Sequence, residues 1–205
     1  MIAVVDYGAG NLRSVEKALQ AVGAQARLTE DAAEVARADA VVLPGVGAFG
    51  DALERLRSRG LDEAVLRGIR EGKPFLGICL GLQVLFEASE ESPGVQGLGV
   101  LPGEVRRFTG DLKVPHLGWN EVMFDPEEAL FTGIPRGAYF YFAHSYFAEL
   151  AEADLAAGWT EYGRRFACAV RRDNVWAVQF HPEKSQRWGL QVLRNFSAQV
   201  ARTGQ

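Results

Sequence analysis

The residue with the clearest capacity for chemistry is Cys79, at the centre of residues 77–81, whose sequence is GICLG. This G-x-C-x-G segment joins a buried strand predicted over Phe75–Ile78 to a helix predicted over Leu80–Glu87. It is the sulfur counterpart of a nucleophile elbow, in which glycines flank the nucleophile because the sharp strand-to-helix turn leaves no room for side chains. At a helix N-terminus the helix dipole favours thiolate over thiol.

The alternative for Cys79 is a buried structural cysteine between two packing glycines, because free cysteines are among the most buried residues. Cys168 fits that description, since residues 166–170 (FACAV) contain no elbow, and we expect it to lie in the core. The strand, elbow and helix around Cys79 favour a catalytic thiol instead.

A thiolate nucleophile needs a partner for proton transfer, and that partner needs a group that orients it. His181 follows an apolar strand predicted over Val175–Phe180, and Pro182 biases it toward an extended conformation. Residues two apart in an extended chain point to the same side, so Glu183 can hold the imidazole. We therefore predict that Cys79, His181 and Glu183 form a catalytic triad.

The ordinary alternative for His181 is a strand-end histidine beside a surface glutamate, which the elbow cysteine in the same chain makes less favourable. The other two histidines, His116 and His144, both follow apolar stretches. We expect them to be satisfied polar groups near the site and not catalysts. The three histidines and two cysteines show no metal-ligand spacing, so we predict no metal site.

Residues 45–50 (GVGAFG) match the G-x-G-x-x-G pattern of dinucleotide-binding loops. The match is weak, because the loop follows an internal strand, Ala40–Leu43, and Pro44 directly precedes it. The backbone N–H groups near Gly45 to Gly47, together with that of Leu80, are suited to stabilise the oxyanion that forms when a carboxamide is attacked. A tight turn without a ligand is the third interpretation. We favour the oxyanion role, since loop and elbow should both lie at the carboxyl ends of their strands.

The elements that carry these residues predict an α/β fold. In the first half, short apolar runs alternate with helical spacing. The predicted strands are Ile2–Val5, Ala24–Leu28, Ala40–Leu43 and Phe75–Ile78, and the predicted helices run from Leu12 to Val22 and from Leu61 to Ile69. This alternation predicts a three-layer fold with a mostly parallel central sheet and helices on both faces.

The second half lacks full helices between its strands, which predicts antiparallel additions toward the C-terminus. Its predicted strands are Val105–Phe108, Tyr139–His144, Ala167–Arg171 and Val175–Phe180. The last two flank a hairpin turn at residues 172–174. A final helix is predicted around residues 190–200. With no linker in the chain, we expect residues 1–205 to form one domain.

Composition argues against several functional classes. Charged residues make up 23% of the 205 residues and the net charge is −4, which implies no nucleic-acid partner. No apolar run approaches the length of a membrane span. The N-terminal sequence MIAVVDYGAGN lacks a basic leader, so we expect a cytoplasmic protein with free thiols.

Several segments together resemble a known family. Residues 77–83 (GICLGLQ) and 181–183 (HPE) resemble the triad signatures of class I glutamine amidotransferases. Others are similar to the glutaminase subunits of imidazole glycerol phosphate synthases, namely residues 5–12 (VDYGAGNL), 43–50 (LPGVGAFG), 115–120 (PHLGWN), 144–146 (HSY) and 179–186 (QFHPEKSQ). The resemblance runs from Met1 to the last helix. Leu82 stands where the family often has methionine, a departure between two apolar residues.

The resemblance implies hydrolysis of glutamine to glutamate and ammonia, without a cofactor, by Cys79, His181 and Glu183. It also implies roles for other residues. The oxyanion strand corresponds to Pro44, Gly45, Val46 and Gly47, the glutamine contacts to Leu80, Gln83, Glu91, Ser145 and Tyr146, and the partner interface to Asn11, Tyr141 and Lys184. Glu90 adjoins Glu91 in an acidic run, so either of them could contact glutamine.

A partner is expected because a freely running glutaminase would waste glutamine. The resemblance implies a cyclase subunit with a (βα)₈ barrel, in a heterodimer that passes ammonia to a phosphoribosyl intermediate. The products would be imidazole glycerol phosphate and an aminoimidazole carboxamide ribotide, in histidine biosynthesis. We expect the isolated chain to hydrolyse glutamine poorly and the cyclase to accelerate it.

Three alternatives stay open at this point. The chain could serve a different synthase, such as one that makes aminodeoxychorismate or anthranilate. It could be a stand-alone cysteine hydrolase of the same fold that acts on γ-glutamyl peptides. It could also be a nonenzymatic nucleotide-binding module that uses the glycine loop.

Overall fold

The structure is a computed structural model, which describes residues 1–125 and 127–203. Its strands are β1 (Ile2–Val5), β2 (Ala26–Thr29), β3 (Ala40–Gly45), β4 (Phe75–Cys79), β5 (Ala88–Ser89), β6 (Gly103–Arg107), β7 (His116–Phe124), β8 (Ala138–His144), β9 (Tyr146–Leu150), β10 (Ala156–Glu161), β11 (Arg165–Arg172) and β12 (Val175–Val178). Its α-helices are α1 (Leu12–Ala21), α2 (Ala32–Arg37), α3 (Phe49–Ser58), α4 (Leu61–Arg70), α5 (Leu80–Gln83) and α6 (Gln186–Thr203).

One large sheet organises the chain, with strand order β2-β1-β3-β4-β12-β11-β10-β7-β8. The first five strands of this order run parallel to one another, and each later strand is antiparallel to the one before it. A side branch leaves through β9, which pairs with β11 and β6, and β6 in turn pairs with β5. The predicted parallel sheet with antiparallel C-terminal additions is therefore confirmed.

Helices cover both faces of the parallel region, as predicted. In β1, Ile2 and Val4 pack toward α1 and α6, whereas Ala3 and Val5 pack toward α2, α3 and α4. Strands buried on both faces are apolar throughout, which is why β1 and β3 were visible as continuous apolar runs. Two apolar cores result, one on each side of the sheet.

The helix after Cys79 is shorter than predicted. It ends at Gln83 and not at Glu87, because the following backbone N–H groups leave the helical pattern. Those of Leu85 and Phe86 donate only three residues back, to Leu82 and Gln83, and that of Glu87 donates to the carbonyl oxygen of Gly103. The backbone N–H groups of residues 97–101 donate to the carbonyl oxygens of residues 84–87. The chain after Gln83 thus pairs with the returning segment of residues 97–103 instead of with its own preceding turn.

The predicted hairpin between the last two strands is present. β11 and β12 pair with Arg172 opposite Val175, and the turn consists of residues 173–174. Asp173 has a φ of 52°, which an aspartate tolerates in tight turns. β12 ends at Val178, two residues before the predicted end, and the chain then leaves the sheet toward His181.

Candidate active site

The elbow at Cys79 has the predicted turn from strand to helix. Cys79 is the last residue of β4 and has a φ of 55° and a ψ of −108°, a strained backbone conformation for a residue other than glycine. A Cβ atom on Gly81 would overlap the carbonyl oxygen of Leu43, and one on Gly77 would lie 2.6 Å from the carbonyl oxygen of Gly81. The two flanking glycines are therefore required by direct steric contact with backbone.

His181 and Glu183 lie together beside this elbow. Nδ1 of His181 is 2.8 Å from Oε1 of Glu183, and both side chains are buried. His181 also hydrogen-bonds to Cys79, and Nε2 is the ring nitrogen left for that contact. The structure brings the three predicted triad side chains into one continuous chain of contacts.

Two opposing effects set the charge of His181. Burial alone lowers its pKa, but the hydrogen bonds to Cys79 and Glu183 and the negative charges of those two groups raise the pKa to about 10. A protonated imidazole between a sulfur and a carboxylate is the form that can give a proton to a leaving group.

Asn11 reaches the same carboxylate. Its Nδ2 donates to Oε1 of Glu183 over 2.6 Å, so this oxygen receives hydrogen bonds from both Asn11 and His181. The other oxygen, Oε2, is buried and has no hydrogen-bond partner within the described residues. The structure thus places Asn11, which was predicted at the partner interface, against the triad. No pattern in the sequence indicated this contact, because 172 residues separate the pair.

A cavity of about 210 Å³ opens at the sulfur of Cys79. Its size suits an amino acid better than a dinucleotide. Most of the residues predicted to stabilise the oxyanion or to contact glutamine line it, namely Val46, Gly47, Leu80, Gln83, Glu91, Ser145 and Tyr146. Pro44 and Gly45 lie just before this wall, at the end of β3, while Tyr141 and Lys184 are not part of it.

The glycine loop lies next to the nucleophile, since Gly45 pairs with Cys79 across β3 and β4. Gly45 has no room for a side chain, because a Cβ atom there would overlap the hydroxyl of Tyr7. Gly47 has a φ of 107°, a conformation that favours glycine. Burial and the negative charge of Cys79 raise the pKa of Tyr7, and the positive charge of Arg55 opposes that rise.

The N-terminus of α3, where a dinucleotide phosphate would bind, is already occupied. The N–H of Phe49 donates to Oε2 of Glu91 over 2.7 Å, and the N–H of Gly50 donates to Oγ of Ser92 over 3.0 Å. A carboxylate in this position repels a phosphate group. The segment that matches G-x-G-x-x-G therefore does not form a phosphate-binding site.

The same region separates the two adjacent glutamates. Glu91 lines the cavity, whereas Glu90 turns away and pairs with Arg106 over 2.8 Å. The N–H of Arg107 and the side chain of Arg106 lower the pKa of the Glu90 carboxyl. Of the two, Glu91 is the one in position to meet a ligand.

Gln179 is a site residue that sequence reasoning missed. Its Nε2 lies 3.6 Å from Sγ of Cys79, and its side chain is fully buried. A signal was present, because Gln179 precedes His181 by two residues and so points to the same side of an extended chain.

The other two histidines are satisfied polar groups near the site, as expected. Nδ1 of His144 donates to the carbonyl oxygen of Tyr146 over 2.7 Å, which leaves Nε2 to accept from Nδ1 of His116 over 2.9 Å. Nε2 of His116 then accepts from Nδ2 of Asn120 over 3.2 Å. Burial lowers the pKa of His144 to about 3 and that of His116 to about 4. Both rings are therefore neutral at pH 7.

Cys168 lies in the core, as predicted, fully buried on β11, and burial raises the pKa of its thiol. In residues 1–125 and 127–203 we find no group of three or more acidic, histidine or cysteine side chains placed to hold a metal ion. Across the same part of the chain, no helix has the length and apolar character needed to cross a membrane.

Sequence comparison identifies proteins that are similar to this chain over nearly its whole length. The family model for glutamine amidotransferase class I matches residues 3–200. The chain is 52% identical to imidazole glycerol phosphate synthase subunit HisH of Moorella thermoacetica over 203 residues, covering 99% of this chain and 97% of that one. It is 56% identical to the HisH subunit of Dechloromonas aromatica over 206 residues, covering 95% and 94%.

Solved structures agree on the fold. A crystal structure of a glutamine amidotransferase superimposes with a TM-score of 0.77 at 20% identity, covering 98% of this chain and 100% of the other.

Proposed function

This chain belongs to the class I glutamine amidotransferases, and from that premise we propose how its site works. Relatives of about 50% identity over nearly their whole length are subunits of imidazole glycerol phosphate synthase. The chain is accordingly the glutamine amidotransferase subunit of that synthase, in histidine biosynthesis. We take residues 1–205 as a single glutaminase domain. The observation that carries the mechanism is the contact chain from Cys79, which lines the cavity, through His181 to Glu183.

In the proposed reaction, the Cys79 thiolate attacks the side-chain carboxamide carbon of glutamine. The C–N bond of the resulting tetrahedral intermediate breaks, and protonated His181 supplies the proton with which the nitrogen leaves as ammonia. Water then attacks the glutamyl thioester, and His181 takes its proton. Glutamate leaves and the thiolate is restored. Glu183 holds the imidazole in position and stabilises its positive charge throughout.

The oxyanion is stabilised by backbone N–H groups of Gly45, Val46 and Gly47 together with that of Leu80. Support comes from the pairing of Gly45 with Cys79 and from the position of Leu80 as the first residue of α5. An N–H in the first turn of a helix has no acceptor within the helix, so it is available to a ligand.

Glutamine itself is held by the cavity walls. Glu91 and the polar groups of Ser145 and Tyr146 face the space above the sulfur, and Gln83 lines the same cavity. The Glu91 carboxylate suits the α-ammonium group of glutamine, since opposite charges attract most strongly in a partly closed site. Pro44 shapes the start of the loop.

The cyclase partner docks on the outer face of β7 and β8. This face exposes large apolar side chains, with Leu117 64%, Trp119 46% and Tyr139 56% exposed. Exposed apolar patches of this kind are typical of protein interfaces. Tyr141 lies here in an edge contact with Trp119, 6.1 Å between ring centroids, and Lys184 Nζ lies 5.8 Å from the Tyr141 ring.

The proposed docking face is connected to the triad by hydrogen bonds. The backbone carbonyl of Tyr141 accepts from the N–H of His181 over 2.9 Å, and the N–H of Tyr141 donates to Oγ of Ser185 over 2.9 Å. A partner that shifts β8 therefore also shifts the segment that carries His181. We propose a (βα)₈-barrel cyclase in a heterodimer, which receives ammonia directly.

The test is glutamate release from glutamine by the purified chain, alone and with its cyclase and the cyclase ligand. We expect slow hydrolysis by the isolated chain, acceleration by the complex, and loss of both with Cys79→Ala. Efficient cleavage of γ-glutamyl peptides without the cyclase, or full activity of the Cys79→Ala variant, would be incompatible with the proposal.

A further inference from the structure

The amide of Gln179 contacts the nucleophile, and the mechanism above gives it no role. The side chain is fully buried, and Nε2 lies 3.6 Å from Sγ of Cys79. Gln179 is not among the residues that line the glutamine cavity. It approaches the sulfur from inside the protein and not from the substrate side.

The orientation of this amide follows from its neighbours. The carbonyl oxygen of Tyr146 can only accept, and Nε2 of Gln83 donates to it over 3.0 Å. The same Nε2 donates to Oε1 of Gln179, also over 3.0 Å. Gln179 must therefore present its oxygen to Gln83 and its NH₂ group to the sulfur.

The anchor of this chain is itself fixed. The Tyr146 carbonyl also accepts from Nδ1 of His144, which is neutral and has a defined tautomer because its other nitrogen accepts from His116. The backbone N–H of Gln179 donates to the carbonyl oxygen of Cys168 over 2.8 Å, which ties the residue to β11. The amide can neither flip nor move away without breaking several buried hydrogen bonds.

We propose that Gln179 is a further catalytic residue, whose N–H donates to the Cys79 sulfur and stabilises its thiolate form. This rests on the proposed glutaminase function. An N–H donor favours a charged sulfur over a neutral one, because hydrogen bonds to ionised groups are the stronger ones. The contact is strongest before attack on glutamine and again as the thioester breaks, when sulfur carries negative charge. Gln179 and His181 thus hold the sulfur from two positions.

The experiment measures alkylation of Cys79 by iodoacetamide as a function of pH, followed by mass spectrometry of the Cys79 peptide. Gln179→Met removes the donor at similar length. We expect the pH midpoint of alkylation to rise by about one to two pH units, since a hydrogen bond to a charged group changes an equilibrium about tenfold to a hundredfold. In the complex with the cyclase, kcat should fall by a similar factor while KM for glutamine changes little.

Gln179→Glu is the second variant, chosen because it keeps the shape of the side chain. Its carboxylate can still accept from Gln83 but presents a negative oxygen to the sulfur. We therefore expect a larger upward shift of the alkylation midpoint than with Gln179→Met.

Asn195→Asp is the matched control, because Asn195 is also a buried amide that donates two hydrogen bonds, to Leu130 and Thr132, away from the site. It should lower thermal stability and leave the Cys79 midpoint unchanged. Unchanged midpoints in both Gln179 variants, or equal shifts in Asn195→Asp, overturn the assignment. Because alkylation needs no glutamine, a wild-type chain that failed to release glutamate would contradict the proposed function alone.

Discussion

Glu183 is, after Cys79, the side chain whose hydrogen bond and negative charge raise the pKa of His181. Its Oε1 receives hydrogen bonds from His181 and Asn11, while Oε2 has no partner among the described residues. A buried carboxylate and a buried imidazolium in contact compensate each other for the loss of water. Removing the charge of one therefore destabilises the charge of the other.

Replacing the Glu183 carboxylate by a carboxamide, in the variant Glu183→Gln, tests this dependence. The new side chain is the same size but neutral, so the pKa of His181 should fall and the ring can take the wrong tautomer. We expect kcat for glutamine hydrolysis in the complex to fall by about a hundredfold or more, with a smaller change in KM. Asn11→Ala, which removes only one donor to the carboxylate, should cost much less. Equal losses from both variants would contradict this account.

The proximity of Cys79, His181 and Glu183, the proposed triad, was predictable from sequence because each part has a local signature. The glycines around Cys79 report a sharp turn, and the spacing of His181 and Glu183 reports one side of an extended chain. The contacts of Asn11 with Glu183 and of Gln179 with Cys79 were not predicted. Asn11 and Glu183 lie far apart in the chain and share no local signature, whereas the two-residue spacing of Gln179 and His181 was a signal for the Gln179 contact.

The turn between β4 and α5 is the element that positions the sulfur. It depends on Gly81, because a Cβ atom there would overlap the backbone of Leu43 on β3. Backbone cannot yield as a flexible side chain can, so α5 would have to move away from β3.

Gly81→Ala should therefore destabilise the protein by about 3 kcal/mol or more, at the upper end of overpacking costs. Gly68→Ala is the matched control, because Gly68 lies within α4 and a Cβ atom there meets only ordinary contacts at 3.7 Å. It should stabilise the helix by about 0.5–1 kcal/mol. Urea unfolding of both variants measures the difference. A Gly81→Ala variant as stable as wild type would show that the elbow can accommodate a Cβ atom at this position, contrary to the structure.

The histidine pair between β7 and β8 predicts sensitivity to acid. The pKa values of His116 and His144 in the folded chain, about 4 and about 3, lie below 6.5, the ordinary value for histidine. Below about pH 6.5 the unfolded chain binds protons that the folded chain does not, so the free energy of unfolding falls as pH falls. The loss is ~1.4 kcal/mol per pH unit for each histidine.

His116→Phe removes one of the two imidazoles that take up a proton in the unfolded chain, and it keeps an aromatic ring between Phe142 and Tyr162. We expect its free energy of unfolding to decline less steeply than that of wild type between pH 6 and pH 4. Urea unfolding across this range provides the comparison. Identical slopes would mean that His116 is protonated in the folded protein.

Elements buried on both faces were easier to predict than elements with two different faces. β1, β3 and β4 are continuous apolar runs, and the sequence located them within one or two residues. β7 was missed because its residues do not alternate cleanly between apolar and polar. Its solvent-facing side is also apolar, at Leu117 and Trp119. The true end of α5 depends on contacts with the returning segment of residues 97–103, among them the hydrogen bond from the N–H of Glu87 to Gly103, which no local pattern reveals.

The parallel and antiparallel parts of the sheet carry different features of the molecule. Its parallel part places the elbow and the glycine loop side by side at the carboxyl ends of β3 and β4. Its antiparallel part presents β7 and β8, with their exposed apolar face, next to the segment that carries His181. The proposed catalytic site and the proposed docking face thus lie on one continuous set of strands.

Trp119→Ala should weaken binding of the cyclase by about 2 kcal/mol, a typical cost for an exposed aromatic anchor of an interface. Arg67→Ala, on the outer surface of α4, should leave binding unchanged. Titration calorimetry with the purified cyclase measures both. If Trp119→Ala binds as tightly as wild type, the docking face lies elsewhere.

The most direct measurement of the central claim is to trap the sulfur with a glutamine analogue that carries an electrophilic group in place of the carboxamide. Mass spectrometry of the complex should find one adduct, on Cys79, formed more slowly in His181→Asn and absent from Cys79→Ala. An adduct on Cys168, or equal rates in the wild type and in His181→Asn, would contradict the account.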